Sequence, residues 1–361
     1  MPQKTFSTTP SASSPSASSD IPACGEAAFF GHPHLHPHGQ APTSLPLRHD
    51  WRLEEICTLH NLPLMDLVFE AMSIHRAVFG PGHAVQLCSL LSIKTGGCPE
   101  DCAYCSQSIR HAGALPVQKL MPLEEVLEAA RKAKKAGATR FCMGAAWREV
   151  REGAAFESVL EMVRQIGRLG LEVCATLGML TASQAQRLKE AGLHAYNHNL
   201  DTSAEFYANI VSTRSYEERL QTLGHIRQAG IHVCCGGILG LGESVEDRCK
   251  LLQTLANQPQ HPESVPVNAL LSLPGTPLEG LPPPDAFAML RFIATARILM
   301  PEAKIRMAAG RSNMSMEAQA LCMLAGANSL FFCEQLLTAP NSPAEADLAL
   351  LSKLGATPMV G

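Results

Sequence analysis

From about residue 86 nearly to the C-terminus, short apolar runs alternate with longer segments whose apolar residues recur at helical spacing. Short runs that are apolar on both faces suit strands of a buried parallel sheet, and apolar positions three and four apart suit amphipathic helices. Eight strand candidates result: LLSIKT (Leu90 to Thr95), TRFCMGA (Thr139 to Ala145), LEVCATLG (Leu171 to Gly178), AYNHNLD (Ala195 to Asp201), HVCCGGIL (His232 to Leu239), VPVNALLS (Val265 to Ser272), KIRMAAG (Lys304 to Gly310) and SLFFCE (Ser329 to Glu334).

The segments between them carry helix punctuation. Thr181 with Gln184, and Ser215 with Glu218, have capping-box spacing, in which side chains satisfy the free amides of a first helical turn. Gly192 and Gly230 stand where a left-handed C-terminal cap belongs. Around Pro122 to Ala136, Leu123, Val126, Leu127, Ala130 and Ala133 share one face, with Glu early and Lys late as the helix dipole favours.

Eight strand and helix units of this size predict an α/β fold, a (β/α)8 barrel of TIM type over residues 46–361. Residues 46–85 read as a helical extension outside the first strand. An open doubly wound sheet is the alternative with the same pattern. The longest loop region, Thr95 to Thr139, follows the first strand, and barrels build their sites on loops of that kind.

Composition adds bounds. The 361 residues are 46% hydrophobic, enough for a sizeable core, and the net charge of −4 with no basic run gives nucleic acid and acidic membranes nothing to bind. No apolar run has the length of a membrane span, and the N-terminus lacks an apolar signal core. A reducing, cytoplasmic setting is therefore expected, in which the thirteen cysteines are free thiols or metal ligands. Residues 1–45, rich in Ser, Pro, Thr and Ala, read as a disordered tail, with His32, His34, His36 and His38 as a solvated tract.

The strands also carry unusual residues. Side chains two apart share a strand face, and in a barrel the inward face is normally aliphatic. Here Arg140 shares a face with Cys142, Cys174 with Thr176, Cys234 with Gly236, and Asn197 with Asn199 and Asp201, while Asn268 and Arg306 lie in later strands. Buried polar groups without partners cost roughly 1–3 kcal/mol each, so a polar ligand in the lumen, or a polar core that satisfies itself, is required.

The loop KTGGCPEDCAYCSQ holds Cys98, Cys102 and Cys105. Sulfur ligands select zinc, copper or iron–sulfur clusters. Three thiolates leave one iron of a four-iron cluster open, whereas three thiolates and a water on zinc remain an alternative.

The spacing C-x-x-x-C-x-φ-C, with Tyr104 before the third cysteine, resembles that of the radical S-adenosylmethionine superfamily. Together with FCMGAAW, YNHNLDTS, GGILGLGE, ESVPVNAL and AGANSLFF, in order between residues 50 and 356, it resembles the biotin synthase family. That resemblance implies a 4Fe-4S cluster on Cys98, Cys102 and Cys105, whose open iron binds S-adenosylmethionine, and a 5′-deoxyadenosyl radical that abstracts hydrogen from dethiobiotin. It implies a 2Fe-2S cluster, the sulfur source, on Cys142, Cys174, Cys234 and Arg306, with Arg140 beside it. For S-adenosylmethionine it implies Tyr104, Gly236, Ile238, Gly240 and Glu243, with Asn199 and Asp201 on the ribose and Arg219 on the methionyl carboxylate. For dethiobiotin it implies Asn197, Asn199 and Asn268 on the ureido ring and Thr338 by the carboxylate. It also implies a reducing electron-transfer protein of flavodoxin or ferredoxin type, iron–sulfur assembly machinery and a homodimer. Two residues depart from the family pattern: Ala339 stands where a second threonine is common, and Cys235 where serine is common. Cys24, Cys57, Cys88, Cys249, Cys322 and Cys333 match no ligand position and are expected to be plain thiols.

Overall fold

All eight expected strands form, and they pair in parallel around a closed barrel in the computed structural model, which describes residues 47–360. The expected tail, including its histidine tract, lies outside the described residues. The circuit runs from β1 (Ala84–Lys94) through β2 (Arg140–Ala145), β3 (Glu172–Thr176) and β4 (Ala195–Asn197). The fifth position is shared by β5 (His232–Cys234) and β6 (Gly237–Leu239), both paired with β7 (Ser264–Ala269). Next come β8 (Lys304–Met307) and β9 (Ser329–Phe331), and β9 closes the barrel on β1. A short β10 (Thr357–Pro358) pairs with the start of β1.

The third, fourth, sixth, seventh and eighth strands end earlier than expected, and the first and fifth differ for identifiable physical reasons. The first begins at Ala84 rather than Leu90, because Val85 and Leu87 pack into the main hydrophobic core while Gln86 and Cys88 alternate with them. The fifth is interrupted at Gly236: a Cβ there would lie 2.0 Å from the Pro266 carbonyl oxygen, so the chain can pass only as glycine.

The ring of helices behaves as its punctuation requires. Helix α3 (Leu123–Lys135) buries Val126, Leu127 and Ala130. Both capping boxes form, on α5 (Ala182–Glu190) and α7 (Tyr216–Gln228), and Gly192 and Gly230 follow those helices with φ of 95° and 68°. The expected N-terminal extension is α1 (Leu53–His60) and α2 (Leu64–Phe79). They pack on α8 (Val245–Ala256) and α9 (Ala286–Leu299) respectively. The core lies between strands and helices, with Phe141, Phe156, Tyr196 and Phe292 among its largest buried side chains. No described helix is long and apolar enough to cross a membrane.

Candidate active site

A cavity of about 320 Å³ occupies the barrel lumen and is lined at one end by the cysteine loop. That loop is tightly folded. Gly96 and Gly97 are both left-handed, with φ of 72° and 75°, and a Cβ on Gly96 would meet the Pro116 oxygen at 2.6 Å. Backbone bonds from Cys98 N to Gln107 O and from Cys105 N to Cys102 O hold the turns at 3.0 and 2.9 Å. Neighbouring loops anchor it: Glu100 is ion-paired with Arg148 at 2.6 Å, and Asp101 accepts from the backbone amides of Ser212 and Thr213 at 2.9 and 3.2 Å.

All three loop cysteines line the cavity. Burial pushes each thiol up, that of Cys105 to about 12. Ligation by a metal is what would convert such thiols to thiolates, with release of protons. Among the described residues no three His, Cys, Asp or Glu side chains gather closely enough to hold a single metal ion.

Below the loop lies a charged and amide layer. Tyr104 Oη donates to Asp201 Oδ2 at 2.7 Å, and the same oxygen pairs with Arg219 Nη2 at 2.5 Å. Arg219 Nε donates to Tyr207 Oη at 2.7 Å and Nη1 to the Asn199 carbonyl. Burial opposes the Arg219 charge, yet the neighbouring Asp201 carboxylate keeps the guanidinium well above its ordinary value. Asp201 itself is left-handed, with φ of 68°. Asn199 Oδ1 accepts from Asn197 Nδ2 at 3.1 Å and from Gly236 N at 3.2 Å. Asn268 donates to the Gly237 carbonyl at 2.9 Å and accepts from Ala309 N at 3.1 Å, tying β7 to its neighbours.

The glycine-rich segment divides by role. Ile238 lines the cavity. Glu243 folds the turn instead, accepting from Gly240 N at 3.0 and 3.1 Å and pairing with Arg248 at 2.7 Å, while Gly240 is left-handed with φ of 93°. Thr338 lines the cavity beside Ala339, with its hydroxyl 3.4 Å from that of Ser106.

At the base, Cys142 and Cys174 face each other across the β2–β3 ladder and both line the cavity. Cys234 lies beside them, its sulfur 3.4 Å from Asn197 Nδ2 and 3.5 Å from Arg306 Nη1. Arg306 is 1% exposed. Its Nε donates to Ser329 Oγ at 3.0 Å and its Nη2 to Gln86 Oε1 at 3.4 Å. Arg140 pairs with Glu172 at 2.8 Å but leaves Nη1 buried and unpartnered. Of these two buried guanidiniums only that of Arg140 pairs with a carboxylate, an imbalance that an anionic, sulfur-ligated group would correct. Burial opposes the Arg306 charge, and the sulfurs of Cys88, Cys234, Cys142 and Cys174 outweigh it.

Cys235 points away from the lumen into the hydrophobic core, as strand alternation requires. The sequence reading missed Arg214, whose Nη2 lies 3.6 Å from Cys102 Sγ, and the group of Gln86, Cys88 and Ser329 at the base. Extending the first strand back to Ala84 would have placed Gln86 and Cys88 on the face of Leu90.

The sequence matches the family model described as Radical SAM superfamily over residues 92–255 and that of the Biotin and Thiamin Synthesis associated domain over residues 266–357. It is 60% identical to the biotin synthase of Myxococcus xanthus, over 92% of this chain and 96% of that protein. The biotin synthase of Methylorubrum populi is 59% identical over 88% of this chain and 93% of its own length. Among solved structures, methylornithine synthase superposes with a TM-score of 0.69 at 21% identity, covering 86% of this chain and 94% of that one. The FeFe-hydrogenase maturase HydG from Carboxydothermus hydrogenoformans gives 0.70 at 18% identity, over 85% and 76%; these two likenesses concern the fold. Motif order, barrel and curated relatives agree: the chain belongs to the biotin synthase family of the radical S-adenosylmethionine superfamily.

Proposed function

We propose that this chain is the enzyme that inserts sulfur into dethiobiotin to form biotin. The observation that carries this reading is the stacking of two thiol sets in one lumen. Cys98, Cys102 and Cys105 lie at the mouth, and Cys142, Cys174 and Cys234 lie at the base beside Arg306. Membership of the family implies S-adenosylmethionine and iron–sulfur clusters. In this reading the mouth thiols hold a 4Fe-4S cluster with one open position, and the base thiols with Arg306 hold a 2Fe-2S cluster. When bound, the clusters supply the electron that cleaves the sulfonium and the sulfur that is inserted.

The chain's own residues bind and orient. Asp201 is fixed through Oδ2 by Tyr104 and Arg219, which leaves Oδ1 for a ribose hydroxyl. Arg219 keeps a second hydrogen on each terminal nitrogen for the methionyl carboxylate. Asn197, Asn199 and Asn268 both donate and accept, which suits the ureido ring of dethiobiotin. Thr338 and the backbone around Ala339 would receive its carboxylate. Ile238, which lines the cavity, would pack against the adenosine, while Gly236, Gly240 and Glu243 shape the backbone that it would approach.

We further assign a reduced flavodoxin or ferredoxin as electron donor, iron–sulfur assembly machinery as supplier, a homodimer as the working form and the cytoplasm as its compartment. The test is anaerobic reconstitution with iron-57 and sulfide. Mössbauer spectra should resolve two cluster types, and dethiobiotin with S-adenosylmethionine and reductant should give biotin and 5′-deoxyadenosine. One cluster type only, or no biotin with both clusters present, would overturn the reading.

A further inference from the structure

The base of the lumen holds a fourth thiol that the reading above does not use. Cys88 lies on β1, two residues before the cavity-lining Leu90, and is fully buried. It forms one buried cluster with Cys142 and Cys174. Its sulfur is 3.6 Å from Ser329 Oγ, and that same hydroxyl accepts from Arg306 Nε at 3.0 Å. Cys88 and Arg306 thus reach one corner of the site from β1 and β8, with β9 between them.

A second feature points to a ligand at this corner. Cys88 stands opposite Arg140 in the β1–β2 ladder. Arg140 is 2% exposed and leaves Nη1 without a partner. An unpaired guanidinium N–H in a dry interior is destabilising, and an anionic sulfur against it would remove that cost. A thiol that merely fills space offers no such acceptor.

We propose that Cys88 is a fourth ligand position of the lower cluster, in competition with Arg306, so that four thiolates can close the site. The inference rests on the assignment of a lower cluster to Cys142, Cys174 and Cys234. Thiolate is the donor that iron–sulfur groups take by preference, whereas guanidine binds only after losing a tightly held proton. In the exchange, the Cys88 S–H bond breaks and an iron–sulfur bond forms. The iron–nitrogen bond to Arg306 breaks, and the thiol proton ends on the guanidine as guanidinium. No oxidant or reductant is needed. Cys88 then serves as a reserve ligand that retains the irons when Arg306 leaves.

The test uses the full chain, reconstituted anaerobically with iron and sulfide, as wild type, Cys88→Ser, Arg306→Ala and the double variant. Iron and sulfide per chain and the resonance Raman spectrum of the lower cluster are measured, with the upper cluster as the control for folding. Arg306→Ala should keep the lower cluster with an all-cysteine iron–sulfur stretching pattern, and the double variant should lose its irons. Equal iron content and identical spectra in those two variants would overturn the inference. A wild type without any lower cluster would instead overturn the assignment on which it rests. Should Arg306→Ala fail to hold even the upper cluster, Arg306→Met with and without Cys88→Ser is read by the same criteria.

Discussion

Replacing Asp201 by alanine should be the most damaging single change in the nucleoside layer. Asp201 and Arg219 meet at 2.5 Å with side chains only 2% and 4% exposed, so screening by water is slight. Removing the carboxylate strands a buried guanidinium, which typically costs about 3–5 kcal/mol, and Tyr104 Oη loses its acceptor as well. Asp201→Asn keeps an acceptor for Tyr104 and tolerates the left-handed φ of 68°, so it should cost less, about 1–2 kcal/mol. The double variant Asp201→Ala with Arg219→Met leaves no stranded charge and should recover about 2 kcal/mol or more relative to the sum of the single changes. Urea unfolding of the metal-free chain, followed by circular dichroism, measures these differences from the midpoints at constant slope. A loss below about 1 kcal/mol for Asp201→Ala, or additive single changes, would refute the claim that this pair organises the layer.

Other changes should separate the parts of the site. Cys105→Ser should remove the upper cluster and abolish 5′-deoxyadenosine formation while the absorbance of the lower cluster survives. Gly236→Ala drives a Cβ to within 2.0 Å of the Pro266 oxygen and should destabilise the fold by about 3 kcal/mol, read in the same urea assay. Burial holds His60 and His75 down to about 4 and about 3. Below about pH 6.5 the unfolded chain therefore binds protons that the native chain refuses, and stability should fall by about 2 kcal/mol per histidine between pH ~6.5 and pH ~5. Stability that does not change over this range would contradict that, and His75→Leu should remove its share of the slope.

The barrel was legible because its strands are short runs bounded by helical segments, some of which carry their own caps, as Thr181 with Gln184 and Ser215 with Glu218 illustrate. The boundaries were less so. In β1 the lumen side carries Gln86 and Cys88, so the apolar run begins late and the fourth thiol at the base was set aside as a plain one. The break between β5 and β6 depends on a carbonyl of β7, about thirty residues away in sequence, which no local pattern contains. The inward cysteines and asparagines could be read from alternation alone. Their ordering into a thiol mouth, an amide layer and a thiol base could not, because it depends on the stagger of neighbouring strands. The anchoring of the cysteine loop by Arg148, Ser212 and Thr213 likewise joins residues from separate loops.

The central claim is that sulfur stored at the base of the lumen ends in the product. Reconstituting the chain with sulfur-34 sulfide, removing free sulfide, and adding dethiobiotin, S-adenosylmethionine and reductant tests it directly by mass spectrometry of the biotin formed. The account predicts biotin carrying sulfur-34, with the lower cluster lost in proportion to product. Unlabelled biotin, or product formed while the lower cluster stays intact and labelled, would contradict it.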